Sequence, residues 1–178
     1  MLYLIMRIKK SQIWVETAIY TLIGLTLIAI VLSVATPQIQ KLKDKSIINQ
    51  ASKSLTELNE LILDVSHTTG NIRIFHFNFD KGRFEIDSSN DNLLFTLENT
   101  NLKFSEPNQD ITQGEIKYRT EIYGKRFNNQ LKLEYSGSNI NIKYNNEDNK
   151  KLFYGGVYKI RIENKGIVDG KTVIDFGV

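Results

Sequence analysis

The sequence predicts an α+β fold: a long N-terminal α-helix, transmembrane in its first part and amphipathic in its second, then an antiparallel β-rich head expected to be a β-sandwich. Three observations lead there. Residues 17–36 carry no charge and no proline, apolar residues then recur at steps of three and four as far as Val65, and beyond Asn71 the apolar period drops to two. A chain of 178 residues has room for one ordinary domain plus one extended element. The expected divisions are a basic leader over residues 1–11, a hydrophobic helix over 12–36, an amphipathic helix over 37–69 and the head over 70–178.

Composition narrows the function classes. The formal net charge is +3, but Arg7, Lys9 and Lys10, three of the 23 basic residues, precede the hydrophobic run. Without them the cations only match the 20 acidic residues, so no polycationic surface for nucleic acid is implied. Cysteine is absent, which excludes disulfides, thiolate metal sites and thiol nucleophiles together, and leaves the head to be held by its core. No phosphate loop, dinucleotide-binding glycine pattern, zinc-ligand spacing or serine elbow occurs, so the expectation is a non-enzyme that needs no cofactor.

Twenty helical residues rise about 30 Å, the thickness of a hydrocarbon core. Thr17 to Thr36 therefore reaches across a bilayer, and in lipid only a helix satisfies every backbone N–H and C=O of such a segment internally. Two other readings compete. A buried core helix would ordinarily show a polar face, and a secretory signal peptide would be cut after its apolar core, where Ser33 and Ala35 could serve as the small residues. Arg7, Lys9 and Lys10 before the span are balanced by Lys41, Lys43 and Lys45 after it, so charge placement does not fix orientation.

The junction Lys9-Lys10-Ser11-Gln12-Ile13-Trp14-Val15-Glu16 breaks that tie, with a basic pair and a small residue ahead of an apolar run that one acid interrupts. A carboxylate carried to the bilayer centre costs about 2–3 kcal/mol, so Glu16 calls for a compensating partner or position. This constellation resembles the class III signal sequences of type IV prepilins, in which a membrane-embedded prepilin peptidase cuts on the cytoplasmic side, after the small residue. The resemblance covers residues 7–45 and implies cleavage between Ser11 and Gln12. Glu16 then becomes the fifth mature residue, where pilins carry their glutamate, and the Gln-x-x-x-Glu arrangement is similar to the archaeal pattern. In that family the glutamate is thought to pair with the N-terminal amine of a neighbouring subunit, a sensible arrangement only when both charges are buried together. The competing reading keeps Glu16 at the membrane surface as an acid favoured by a helix N-terminus.

Three departures from the bacterial pattern stand out. Ser11 replaces the usual glycine, Trp14 is bulkier than the common residues there, and Pro37 lies later than the kink-forming proline. Serine at the cut is tolerated in some archaeal substrates. Pro37 is expected to kink the helix, because it lacks an N–H and clashes with the carbonyl four residues back. The stretch Met6-Arg7-Ile8-Lys9-Lys10-Ser11 reads as a typical short leader, which makes Met6 a second candidate start beside Met1.

The resemblance implies a structural subunit, major or minor, of an extracellular type IV pilus-like filament. Its implied partners are a prepilin peptidase, other pilin subunits and, before assembly, the membrane. Two alternatives share the same features: a single-pass anchored surface binding module that never polymerises, and a pseudopilin of a secretion or uptake machine.

After Pro37 the residues Ile48, Ala51, Leu55, Leu58, Ile62 and Val65 share one helix face, and Lys53, Glu57 and Glu60 occupy another. This helix is expected to end near His67, ahead of Gly70, and to extend a rod of about 80 Å that starts at residue 13. Packing of the apolar face on the chain's own head is favoured over a free coiled-coil seam, since about three heptads are marginal for the latter. His67 and His76 read as ordinary surface or half-buried residues.

In the head, Phe75, Phe77 and Phe79 and then Phe84 and Ile86 predict two strands split by a hairpin at Asp80-Lys81-Gly82. Further alternating runs begin at Ile116, Leu131, Ile140, Tyr158 and Thr172, with shorter ones at Leu93/Phe95/Leu97 and Leu102/Phe104. Turn clusters fall at residues 123–125, 136–138, 145–149, 164–166 and 169–170. Seven to nine strands fit a β-sandwich or one strongly curved antiparallel sheet. Asp87, Ser89, Asp91 and Glu98 match positions one, three, five and twelve of a calcium loop, but Asn92 replaces the expected glycine and the flanks read as strands, so a polar turn is expected there. No Asn-x-Ser/Thr sequon occurs.

Overall fold

The computed structural model describes the backbone from Leu2 to Val178 and the side chains from Ile13 onward. The chain divides into two units, Met1–Gln40 and Lys41–Val178. Helix α1 (Leu2–Ser66) belongs to both, and Pro37 lies inside it, where the missing N–H leaves the Ser33 carbonyl without its helical donor. It ends where the sequence weakens: Thr68 and Thr69 are poor helix formers, and Gly70 takes a left-handed φ of +78° that Cβ would disfavour.

The second unit carries eight strands: β1 (Ile72–Asp87), β2 (Asn92–Thr100), β3 (Asp110–Gln113), β4 (Ile116–Tyr123), β5 (Arg126–Glu134), β6 (Ile140–Tyr144), β7 (Lys150–Val168) and β8 (Lys171–Gly177). All eight join one curled sheet in the order β3-β4-β5-β2-β1-β7-β8-β6. Of the two expected arrangements, this ladder is the single curved sheet. Every pairing is antiparallel except β6 with β8, which is parallel. The β4–β5 and β7–β8 connections are two-residue hairpins at Gly124-Lys125 and Asp169-Gly170, with left-handed φ at Gly124, Asp169 and Gly170 as such turns require.

Inward-facing side chains from the sheet and one face of α1 make one core. All six apolar positions of the amphipathic stretch, from Ile48 to Val65, are at most 2% exposed, while Lys53, Glu57 and Glu60 face solvent. Against that face lies an aromatic cluster in which Phe77 meets Phe84 edge-on at 4.8 Å and Phe79 meets Phe95 at 5.6 Å. Each buried ring contributes about 1.5–3 kcal/mol of transfer free energy, and edge contacts add about 0.5–1.5 more. Polar pins join helix to sheet: Ser52 Oγ to Tyr118 OH at 2.6 Å, Tyr135 OH donating to Asn59 Oδ1 at 2.7 Å, and Lys81 to Asp44 at 3.0 Å.

Three strand expectations need correction. Asp80-Lys81-Gly82 is not a hairpin: β1 runs straight through it as a bulge, pairing with β7 at Phe79↔Gly156 and again at Arg83↔Tyr154. The extra residues shift the inward parity from odd (75, 77, 79) to even (84, 86), which in sequence looks like two strands. Gly155 and Gly156 on β7 admit the bulge, since a Cβ on Gly155 would lie 2.6 Å from the Asp80 carbonyl oxygen. Similarly, Asn164-Lys165-Gly166 is a second irregularity within β7 and not a turn between strands. Leu102 and Phe104 pack on the core without forming a strand, because Asn129 Nδ2 donates to the Leu102 carbonyl at 3.0 Å and the Thr120 hydroxyl binds Ser105 at 2.8 Å, tying the segment down by side chains.

Candidate functional site

The largest run of exposed apolar side chains lies on α1, almost all of it within the first unit. From Ile13 to Lys43 no residue is buried, and large apolar side chains including Trp14 (80% exposed), Tyr20, Leu25, Val31 and Leu42 are more than half exposed. The exposure extends around the helix and is not confined to a stripe, because Leu22, Ile23, Leu25, Leu27, Ile28, Ile30, Val31 and Leu32 cover successive directions at 100° per residue. Sixteen such side chains left in water would cost tens of kcal/mol, on the order of 1.5–3 kcal/mol each. This surface requires an apolar environment, and α1 is the one helix among the described residues long and apolar enough to cross a membrane.

Its few polar side chains are adapted to that environment. The hydroxyls of Thr17, Thr26 and Thr36 donate to carbonyls four residues back, and those of Thr21 and Ser33 to carbonyls three back, at 2.7–2.9 Å. Each hydroxyl is thus satisfied within its own helix and brings no unmet hydrogen bond into a dry setting. Glu16 is the one acid of the run and lies exposed on α1. Gln12 precedes it by one helical turn; the side chains of Lys9, Lys10, Ser11 and Gln12, where the expected cleavage falls, lie outside the described residues. Pro37 is partly buried, within α1.

Elsewhere the head offers little catalytic chemistry. His67 and His76 are exposed. The outer face of β3, β4 and β5 is densely charged but self-paired, with Lys117 bonded to Glu134, and Arg119 3.3 Å from both Asp110 and Glu121. The Glu134 carboxylate raises the Lys117 ammonium above its ordinary value and is itself held low by Lys117. Among the described residues no group of three or more His, Asp or Glu side chains is arranged to hold a metal. The four positions of the calcium-loop pattern disperse: Glu98 pairs with Arg83 at 3.1 Å, Ser89 is exposed, and Asp91 takes the Ile142 N–H at 2.8 Å and Lys171 at 3.4 Å. Asp87 alone stays buried, bound through Oδ2 to Lys150 at 2.7 Å and Asn90 at 2.8 Å.

The edge of the sheet at β6 is closed to further strands. Its outward N–H groups at Ile140, Ile142 and Tyr144 donate to Ser138 Oγ, Asp91 Oδ1 and the Glu147 carbonyl. No protein-family model, curated protein or solved structure matches the chain.

Proposed function

We propose that the chain is a structural subunit of a type IV pilus-like filament, exported as a membrane-inserted precursor, trimmed between Ser11 and Gln12 by a prepilin peptidase and assembled at the cell surface. The observation that carries this reading is the pairing of the Lys9-Lys10-Ser11-Gln12 junction with a helix whose apolar side chains are exposed around its whole circumference. Such a helix is at home first in lipid and then among like helices, where van der Waals packing replaces lipid contacts. Internal bonding of its hydroxyls suits both settings. The role is assembly, with no chemical step assigned to the head.

Glu16 has the part that makes polymerisation selective. Once cleavage frees the Gln12 amine of one subunit, the Glu16 carboxylate of another neutralises it inside the bundle, and either charge alone in that interior would be strongly unfavourable. The test is Glu16→Gln: the leader is still removed, while sedimentable filaments in sheared surface fractions fall at least tenfold. Filaments assembling at the normal level with Gln at this position would sink the assignment. Detergent-soluble monomers alone from the unaltered protein would favour the anchored, non-polymerising module.

A further inference from the structure

Five buried side-chain atoms have no hydrogen-bond partner among the described residues, and four of them are oxygens at one end of the sheet: Asp87 Oδ1, Ser88 Oγ, Asn92 Oδ1 and Asn149 Oδ1. Their residues are neighbours in space. Asp87 stands directly opposite Asn92 on β2 and Lys150 on β7, Ser88 follows it in the chain, and the Ser88 N–H donates to the Asn149 carbonyl at 3.2 Å. Asp87 and Ser88 are 7% and 3% exposed. Buried polar groups left unmet are unfavourable, so four at one end of the sheet call for a partner from outside the chain.

The donor count identifies its chemistry. The carboxylate oxygen and the two amide oxygens only accept, and the Ser88 hydroxyl has one proton to give, so these four atoms cannot all be satisfied by one another. The Asn149 amide is oriented by its own Nδ2 bond to Glu147 at 3.1 Å, and the Asn90 Nδ2 is directed at Oδ2, the other oxygen of the Asp87 carboxylate. Lys150 does not neutralise the site, since it is shared between Asp87 at 2.7 Å and Glu85 at 3.4 Å, two carboxylates against one ammonium. An all-oxygen set with a residual negative charge is what a hard cation takes, and one carboxylate with neutral oxygens suits calcium at the weak end of its range, about 10⁻⁴–10⁻³ M.

We propose that Asp87, Ser88, Asn92 and Asn149 form a low-affinity calcium site that fastens the β1–β2 turn to the segment preceding β7. The site is separate from the apolar helix and does not depend on filament assembly. The test uses the full chain in detergent micelles, titrated with CaCl2 by calorimetry and unfolded thermally in EDTA or in 10 mM CaCl2, with MgCl2 and KCl in parallel. Calcium should raise the unfolding temperature by about 5 °C and magnesium by less. Ser88→Ala should be as stable as the parent in EDTA, because the removed hydroxyl has no partner, yet lose most of the calcium increment; Asp87→Asn should lose all of it. Absence of binding heat with equal unfolding temperatures in EDTA and calcium would overturn the proposal and leave ordered water as the common partner. A full calcium increment retained in Ser88→Ala would overturn it equally.

Discussion

Asn164 is the residue whose removal should tell most about how helix and sheet are joined. It is 2% exposed on β7, and its side chain makes three bonds: Nδ2 donates to the carbonyls of Val65 and Ser66 at 3.0 Å each, and Oδ1 accepts the Gly166 N–H at 2.8 Å. The first two caps serve the last turn of α1, whose carbonyls lack the N–H four residues on that a continuing helix would supply. Asn164→Ala removes all three bonds, leaving the Ser66 carbonyl and the Gly166 N–H unmet and the Val65 carbonyl with only the 3.4 Å bond from the Thr68 N–H, at about 1 kcal/mol per bond, giving a loss of about 3 kcal/mol. The main-chain bonds of residue 164, to Gly70 N–H at 2.8 Å and the Asn71 carbonyl at 3.0 Å, survive the substitution, which limits the damage to the cap. The unit from Lys41 onward contains the whole buried core and has about 140 residues, for which 3 kcal/mol corresponds to a drop of about 10 °C in unfolding temperature. Circular dichroism melts of that unit would measure it. Lys165→Ala, which removes a partly exposed ion pair with Glu163 at 2.9 Å, should shift the midpoint by about 2 °C or less. A drop below 3 °C for Asn164→Ala would refute the view that this side chain secures the helix end.

Two further outcomes follow from the packing and from burial. Gly155→Ala should cost about 2–3 kcal/mol in urea unfolding, because its Cβ meets the Asp80 carbonyl oxygen at 2.6 Å and the β1 bulge must shift; a neutral substitution would mean the bulge is not held by this contact. Burial, with the charge of Glu115 adding to it, pushes the Tyr135 phenol far above its ordinary value of 10.0. A folded value above the unfolded one means stability complete below pH 10 and lost as pH rises beyond it, because only the unfolded chain ionises this tyrosine. Tyr135→Phe should therefore be about 1–2 kcal/mol less stable at pH 8, having orphaned Asn59 Oδ1, and recover about 1.4 kcal/mol of that gap by pH 11. A pH-independent gap in paired urea titrations would contradict the burial argument.

What could be read from the sequence was whatever leaves a local period. Helix spacing picked out the six core positions from Ile48 to Val65, since a 3.6-residue period puts them on one face whatever they pack against. Strand β1 looks like two strands in sequence because a bulge inverts side-chain parity just as a reversal does, and nothing local distinguishes them; the permissive Gly155 and Gly156 lie on another strand. Strand β3 went unseen because Asp110-Ile111-Thr112-Gln113 holds one apolar residue and faces solvent throughout, so no burial pattern marks it. The parallel β6–β8 pairing is likewise a long-range outcome that no single segment encodes. Among candidate functional residues, Glu16 and Pro37 announced themselves as breaks in a uniform apolar run. The oxygen cluster did not, because Asn149 joins Asp87, Ser88 and Asn92 only through folding; a calcium-loop spacing pointed to the same turn while naming mostly different ligands.

In the proposed function, a processing event turns a membrane anchor into an assembly helix. Sequencing the N-terminus of the protein recovered from the native cell surface tests it most directly. The expected chain begins at Gln12, with Glu16 as its fifth residue. A chain that still carries Arg7 to Ser11, or one that begins beyond Thr36, would contradict it.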